Sequence, residues 1–325
     1  MKKAKITGYG LYVPEKIYDN AYMETIVETN DEWITQRTGI KERHITAENE
    51  YTTDIATAAA KRAMEDAGVS AEELDLIIIA TITPDYFTPS CACVVQKNLG
   101  AHKAAAFDLN AACSGFVTAL TVAKQFIETG FYQKVLIVGA DSLSKITDYQ
   151  DRGTCILFGD AAGAAVLEAS EENGILSVHI GARGEDGEKL TCLACKEDEA
   201  ELEKRVGKNK STIWMAGAEV MKFAVKIMAE AANKVIADAG LTIDDIAMIV
   251  PHQANTRIIY GAAKRMGVSD DKMFVDIQKY GNTSAASIPV ALCEAVEKGK
   301  VKKGDKVVIV GFGGGLTWGA ALLEI

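Results

Sequence analysis

The stretch Lys134-Val135-Leu136-Ile137-Val138-Gly139 returns 172 residues further on as Lys306-Val307-Val308-Ile309-Val310-Gly311. Asp66-Ala67-Gly68-Val69-Ser70 returns as Asp238-Ala239-Gly240-Leu241-Thr242 with the same offset of 172. Two matches at one spacing mark a duplication, and a duplication constrains the fold more than any single element does. In each copy an apolar-periodic helix (Asp54 to Ala67; Glu219 to Ala239) stops at a glycine, and a short apolar run follows (Leu76 to Ala80; Ile246 to Val250). Such continuous apolar runs suit strands covered by helices on both faces. The expectation is an α/β protein of two related units, residues 1–172 and 173–325, packed into one body. Between the apolar parts of the two copies, Gly184 to Ser211 is charge-dense and reads as a solvated loop or exposed helix.

Composition narrows the function. Of 325 residues 48% are hydrophobic and 25% charged, enough apolar side chain for a large core. A net charge of −10 argues against phosphate-backbone binding, so no nucleic-acid partner is expected. No apolar segment precedes Pro14, which predicts a cytoplasmic protein. The longest uncharged run, Val307 to Leu323, is broken by Gly311, Gly313, Gly314, Gly315 and Gly319 and reads as strand-turn-strand, so no membrane span is expected. The seven cysteines read as reduced thiols. Cys192 and Cys195 have CxxC spacing, but no second pair stands near them to complete a metal site, and none is expected.

Four charge-poor stretches hold the polar groups a buried reaction needs. In Phe107 to Phe116 an apolar strand and a small-residue turn lead to a helix starting near Cys113 or Ser114. A thiol at a helix N-terminus meets unpaired N–H groups and the positive end of the dipole, which lower its pKa and can hold an oxyanion. In Ile249 to Asn255, Pro251 directs His252 away from the end of an apolar strand. In Met273 to Pro289 a strand (Met273 to Ile277) gives way to Gly281, Asn282 and small residues opening a helix. The glycine turn Gly311 to Gly319 lets backbone approach a ligand closely but lacks the lysine of a phosphate-binding loop. Taken singly, Cys113 reads first as a small core residue, His252 as a hydrogen-bonded structural histidine and Asn282 as a turn or N-cap residue. Together they make a Cys-His-Asn constellation suited to acyl transfer.

Six motifs, in order along nearly the whole chain, resemble β-ketoacyl-(acyl carrier protein) synthase III: Asp31 to Gly39 (DEWITQRTG), Ala112 to Phe116 (ACSGF), Asp151 to Gly163 (DRGT…FGDAAG), Pro251 to Asn255 (PHQAN), Gly281 to Ser284 (GNTS) and Gly311 to Trp318 (GFGGGLTW). The resemblance implies a thiolase-like fold, two duplicated halves in a five-layered αβαβα arrangement, in a homodimer. It implies condensation of an acyl-CoA primer with malonyl-acyl carrier protein, with CoA as a substrate carrier and no cofactor. By the same resemblance Cys113 is the nucleophile, His252 and Asn282 stabilise the enolate, and the N–H groups of Cys113 and Gly314 form the oxyanion hole. Trp33, Arg37 and Arg152 would meet CoA. Lys222, Gln253, Arg257, Lys264 and Arg265 would receive the acidic carrier protein. Thr88, just before Pro89, stands where some members carry Phe and would shape the primer pocket of a neighbouring subunit. Two alternatives stay open: a related condensing enzyme of a specialised pathway with another primer or extender, and a catalytically silent thiolase-like binding protein.

Overall fold

The computed structural model describes residues 2–196 and 198–325. The repeated motif forms two equivalent strands, Lys134–Ser142 and Lys306–Gly313. Lys134–Ser142 pairs in parallel with Leu76–Ala80 and antiparallel with Asp160–Ser170. Lys306–Gly313 pairs in parallel with Met248–Pro251 and antiparallel with Thr317–Glu324. The first sheet is completed by Lys3–Tyr12 beyond Asp160–Ser170 and by Ala105–Leu109 at the opposite edge. Ile175–Ala182 completes the second beyond Thr317–Glu324.

Period-two side-chain alternation on these strands generates the layers. Leu76, Ile78 and Ala80 face inward to a core shared with Val307, Ile309, Ala321 and Leu323 of the other sheet. Ile77 and Ile79 face outward, against the helices Thr52–Ala67 and Cys91–Leu99. Val308, Val310, Ala320 and Leu322 face outward from the second sheet, against Gly217–Asp238 and Thr256–Met266. Between the sheets lie Gly115–Glu128 and Ser287–Glu297. Ser287 to Ala295 is buried residue by residue, as expected of a helix walled in by two sheets. The result is five layers, αβαβα. Truncating Leu120 or Ile288, both wholly buried in the central layer, costs about 2–5 kcal/mol.

Met273 to Ile277 does not form the expected strand. Met273 makes a single bridge to Ile249, and Ile277–Tyr280 is a short helix. A side chain replaces the missing ladder: Gln253 donates its amide N–H to Phe274 O (3.0 Å) and accepts from Asp276 N–H (3.1 Å). Among the described residues no helix is long and apolar enough to cross a membrane.

Candidate active site

Ala105–Leu109 ends beside the inner helix layer, and its chain continues through a tight turn, Ala112–Ser114, into Gly115–Glu128. Cys113 sits in that turn. Ala112 holds it with φ of 46°, a left-handed conformation that costs a non-glycine residue free energy and that the surroundings must enforce. The enforcing contacts come from the glycine turn. Ser114 Oγ donates to Ala111 O (2.8 Å) and lies 3.0 Å from Thr317 Oγ1, which bonds Ala111 O at 2.9 Å and Gly314 O at 3.1 Å. Gly313 approaches so closely that a Cβ there would stand 2.5 Å from the Cys113 nitrogen.

His252 follows the strand Met248–Pro251, anchored by its N–H to Val310 O at 2.8 Å. Its Nδ1 lies 2.5 Å from Ser287 Oγ, and the Phe312 ring packs against it edge-on, with centroids 5.4 Å apart. Burial pushes the imidazole down to about 3, so the ring is neutral at physiological pH.

Asn282 is clamped by backbone on both sides: its N–H donates to Leu157 O (2.8 Å) and its carbonyl accepts from Gly159 N–H (3.0 Å). Gly281 must be glycine, because φ is +65° and a Cβ would meet Leu157 O at 2.8 Å. The side-chain Oδ1 of Asn282 accepts from Ser284 N–H at 3.0 Å. With the oxygen occupied, the amide NH2 is the end left for a ligand. Beneath this loop Asp141, wholly buried, accepts from Thr81 Oγ1, Ile82 N–H, Thr83 Oγ1 and Ala285 N–H at 2.8–3.2 Å and ties the first sheet to the Asn282 loop. Sequence reasoning missed Asp141; its signal is one carboxylate in an otherwise apolar strand.

Cys113, His252, Asn282 and Gly314 line one cavity of about 1060 Å³. One expectation reverses there. Cys113 does not have a lowered pKa: burial pushes the thiol up to about 12, outweighing the short turn and helix start that follow it. Trp33, Arg37 and Arg257 also line the cavity. The guanidinium carbons of Arg37 and Arg152 stand 4.7 and 5.0 Å from the Trp33 ring centroid, a cation-stacked cluster at the rim. Lys222, Arg257, Lys264 and Arg265 are exposed on neighbouring helices; Arg265 reaches Glu230 at 3.8 Å. Gln253 does not belong to that surface. It is 1% exposed, with its amide spent on Pro251 O, Phe274 O and Asp276 N–H, so it cannot meet a docking protein. Thr88 is exposed and does not line its own chain's cavity, whereas Phe87 does.

The charge-dense segment read as a solvated loop is in part a cap over the cavity. Leu190, Thr191, Cys192, Leu193, Ala194, Ile213 and Met215 line it; Cys192 and Cys195 are both exposed, and of the two only Cys192 touches the cavity. Buried Arg205 pins the cap, donating to Thr212 O (3.1 Å), Thr191 Oγ1 (3.0 Å) and Glu201 O (2.5 Å). The usable signal was the apolar residues Leu190, Leu193, Ile213 and Met215 at the flanks of the charges.

A thiol, a neutral imidazole and an oriented carboxamide in one largely apolar cavity, inside a duplicated αβαβα body, define a condensing acyltransferase of the thiolase-like fold. The comparisons specify which. Residues 107–184 match the family model described as 3-Oxoacyl-[acyl-carrier-protein (ACP)] synthase III, and residues 236–325 match its C-terminal counterpart. The chain is 54% identical over 324 residues to the beta-ketoacyl-[acyl-carrier-protein] synthase III of Clostridium acetobutylicum, covering 100% of this chain and 99% of that protein. It is 53% identical to that of Clostridioides difficile, over 99% and 98% of the two. The crystal structure of 3-oxoacyl-[acyl-carrier-protein] synthase III from Aquifex aeolicus superposes with a TM-score of 0.93 at 48% identity, over 99% of this chain and 100% of that one. The chain belongs to the β-ketoacyl-[acyl-carrier-protein] synthase III family.

Proposed function

We propose that the protein condenses an acyl-CoA primer with malonyl-acyl carrier protein through an acyl-Cys113 intermediate, initiating fatty-acid synthesis in the cytoplasm. The observation that carries this reading is the cavity wall itself, where Cys113, neutral His252 and the amide-NH2 end of Asn282 stand together. In the first half-reaction the Cys113 sulfur attacks the primer thioester, the C–S bond to CoA breaks, and the thiol proton leaves with CoA. The N–H groups of Cys113 and Gly314 hold the tetrahedral oxyanion. In the second half-reaction malonyl loses carbon dioxide, and the electron pair of the broken C–C bond becomes an enolate. His252 and Asn282 donate hydrogen bonds to it; a neutral imidazole and an amide do this without changing charge. The enolate carbon attacks acyl-Cys113, β-ketoacyl-carrier protein departs, and the thiolate recovers a proton from solvent. The reaction balances without a metal, flavin or nicotinamide, and the CoA thioester enters as substrate.

Trp33, Arg37 and Arg152 form the CoA-binding cluster, the Trp33 ring for the adenine and the two guanidinium groups for the phosphates. Lys222, Arg257, Lys264 and Arg265 receive the acidic carrier protein, which reconciles an acidic enzyme with an acidic partner. The protein works as a homodimer. The edge strand Ala105–Leu109 leaves one row of backbone groups open for a second copy, and the exposure of Thr88 on its own chain is consistent with a role in closing that copy's primer pocket. The test is product analysis by mass spectrometry with an acyl-CoA panel and malonyl-carrier protein. β-Ketoacyl-carrier protein is expected from at least one primer, and its absence with every primer refutes the reading. In the same assay Lys222→Glu with Lys264→Glu should weaken use of malonyl-carrier protein about tenfold and leave Cys113 loading unchanged; unchanged carrier-protein use removes the patch from the account.

A further inference from the structure

His252 stabilises an enolate only if the ring nitrogen facing the substrate carries the hydrogen, and a neutral imidazole has one hydrogen for two nitrogens. Nδ1 is engaged by Ser287 Oγ at 2.5 Å, with Ser287 2% and His252 1% exposed. Nε2 has no hydrogen-bond partner among the described residues, on a ring that lines the cavity. Ser287 Oγ also lies 3.4 Å from Gln253 N–H, which can only donate. Of the two partners the described chain gives this hydroxyl, Nδ1 is the one able to accept. A hydrogen on Nδ1 would leave the buried hydroxyl hydrogen without an acceptor; a hydrogen on Nε2 leaves Nδ1 able to accept it and turns the remaining N–H to the cavity.

We propose that Ser287 is a positioning residue that fixes the tautomer of His252, donating its hydroxyl hydrogen to Nδ1 so that Nε2–H points to the enolate. The helix Ser287–Glu297 gives this device its rigidity. Ser287 occupies the helix's first turn, in the layer between the two sheets, where the hydroxyl is fixed relative to the strand that carries His252. The Phe312 ring holds the imidazole from the other direction. This inference rests on the proposed role of His252 in the condensation.

Nitrogen-15 NMR of protein labelled at histidine, with the His252 signals assigned by their loss in His252→Gln, reads the tautomer directly in the wild type. The Nε2–H form is expected. Ser287→Ala should yield a mixed or inverted tautomer and slow malonyl-thioester decarboxylation about 10- to 100-fold in kcat. Its KM and the acylation of Cys113 by acyl-CoA should change less than about twofold, and Ser287→Thr, which retains the hydroxyl, should restore both tautomer and rate. A wild-type ring protonated at Nδ1 overturns the proposal, and so does Ser287→Ala with tautomer and decarboxylation unchanged. The wild-type spectrum decides the matter even if Ser287→Ala does not fold. Failure of the functional reading looks different: a wild type that neither acylates Cys113 nor decarboxylates malonyl thioesters.

Discussion

Cys113 sits under two opposing influences, the N–H groups at the start of a helix and the loss of water around the sulfur. Desolvation wins, and the thiol rests protonated. On the proposed mechanism, charge therefore develops on the sulfur only as the primer arrives. Asn282 is the sharpest probe of the site, because its Oδ1 is held by Ser284 N–H while its NH2 has no hydrogen-bond partner among the described residues. Asn282→Asp keeps the acceptor for Ser284 but replaces the donor with an anion beside the developing enolate. Decarboxylation should fall about 10²–10³-fold while Cys113 still takes up the acyl group, as measured by carbon dioxide release and intact mass; equal losses in both steps would contradict the assignment. That these residues share a cavity was foreshadowed by their positions at strand ends. The ionisation state of Cys113 was not, because desolvation depends on every atom packed around the sulfur and local sequence reports only the turn and helix.

At the scale of elements, the cap is the part least visible in advance. Its apolar residues Leu190, Leu193, Ile213 and Met215 are separated in sequence by a run of charges, and the short pairing of Leu190–Thr191 with Trp214–Met215 brings the two flanks together, so no periodicity marks them. Met273 to Ile277 misled for a related reason: a strand-like run lost its ladder to the side chain of Gln253, a competitor twenty residues upstream. By contrast, Leu76–Ala80 and Lys134–Ser142 were legible because burial on both faces leaves an unbroken apolar signature. Two predictions follow from the local geometry. Arg205→Met removes the hub that ties Thr191, Glu201 and Thr212, so the cap should become the first site of limited proteolysis and the KM for acyl-CoA should rise several-fold with core stability little changed; proteolysis elsewhere first would count against the hub. Gly313→Ala drives a methyl against the Cys113 nitrogen and should slow acylation at least about tenfold in a folded protein; a wild-type acylation rate would show that the turn tolerates the displacement.

For the whole molecule, the duplication explains why one site draws on both copies. Each repeat supplies a sheet with one outward and one inward face, and the inward faces share the central helices that carry Cys113 and Ser287 toward one cavity. The buried neutral imidazole makes stability depend on pH. The ordinary histidine value is 6.5 and burial brings His252 to about 3. Below pH 6.5 the unfolded chain takes up a proton that the native state refuses, so this contribution is complete above 6.5 and is lost as pH falls toward 3. Between pH 7 and pH 5 the loss amounts to about 2 kcal/mol from this residue. Urea unfolding should show that loss in the wild type and a shallower one in His252→Gln; identical slopes would place the acid sensitivity elsewhere.

The central claim is that Cys113 carries the primer between the two half-reactions. Intact-protein mass spectrometry after mixing with a panel of acyl-CoAs, followed by peptide mapping and a chase with malonyl-carrier protein, tests it most directly. The account predicts one acyl group on Cys113, removed by the chase as β-ketoacyl-carrier protein, and no adduct in Cys113→Ala. A folded protein that stays unmodified with every acyl-CoA, or an adduct on another residue that the chase consumes, would contradict it.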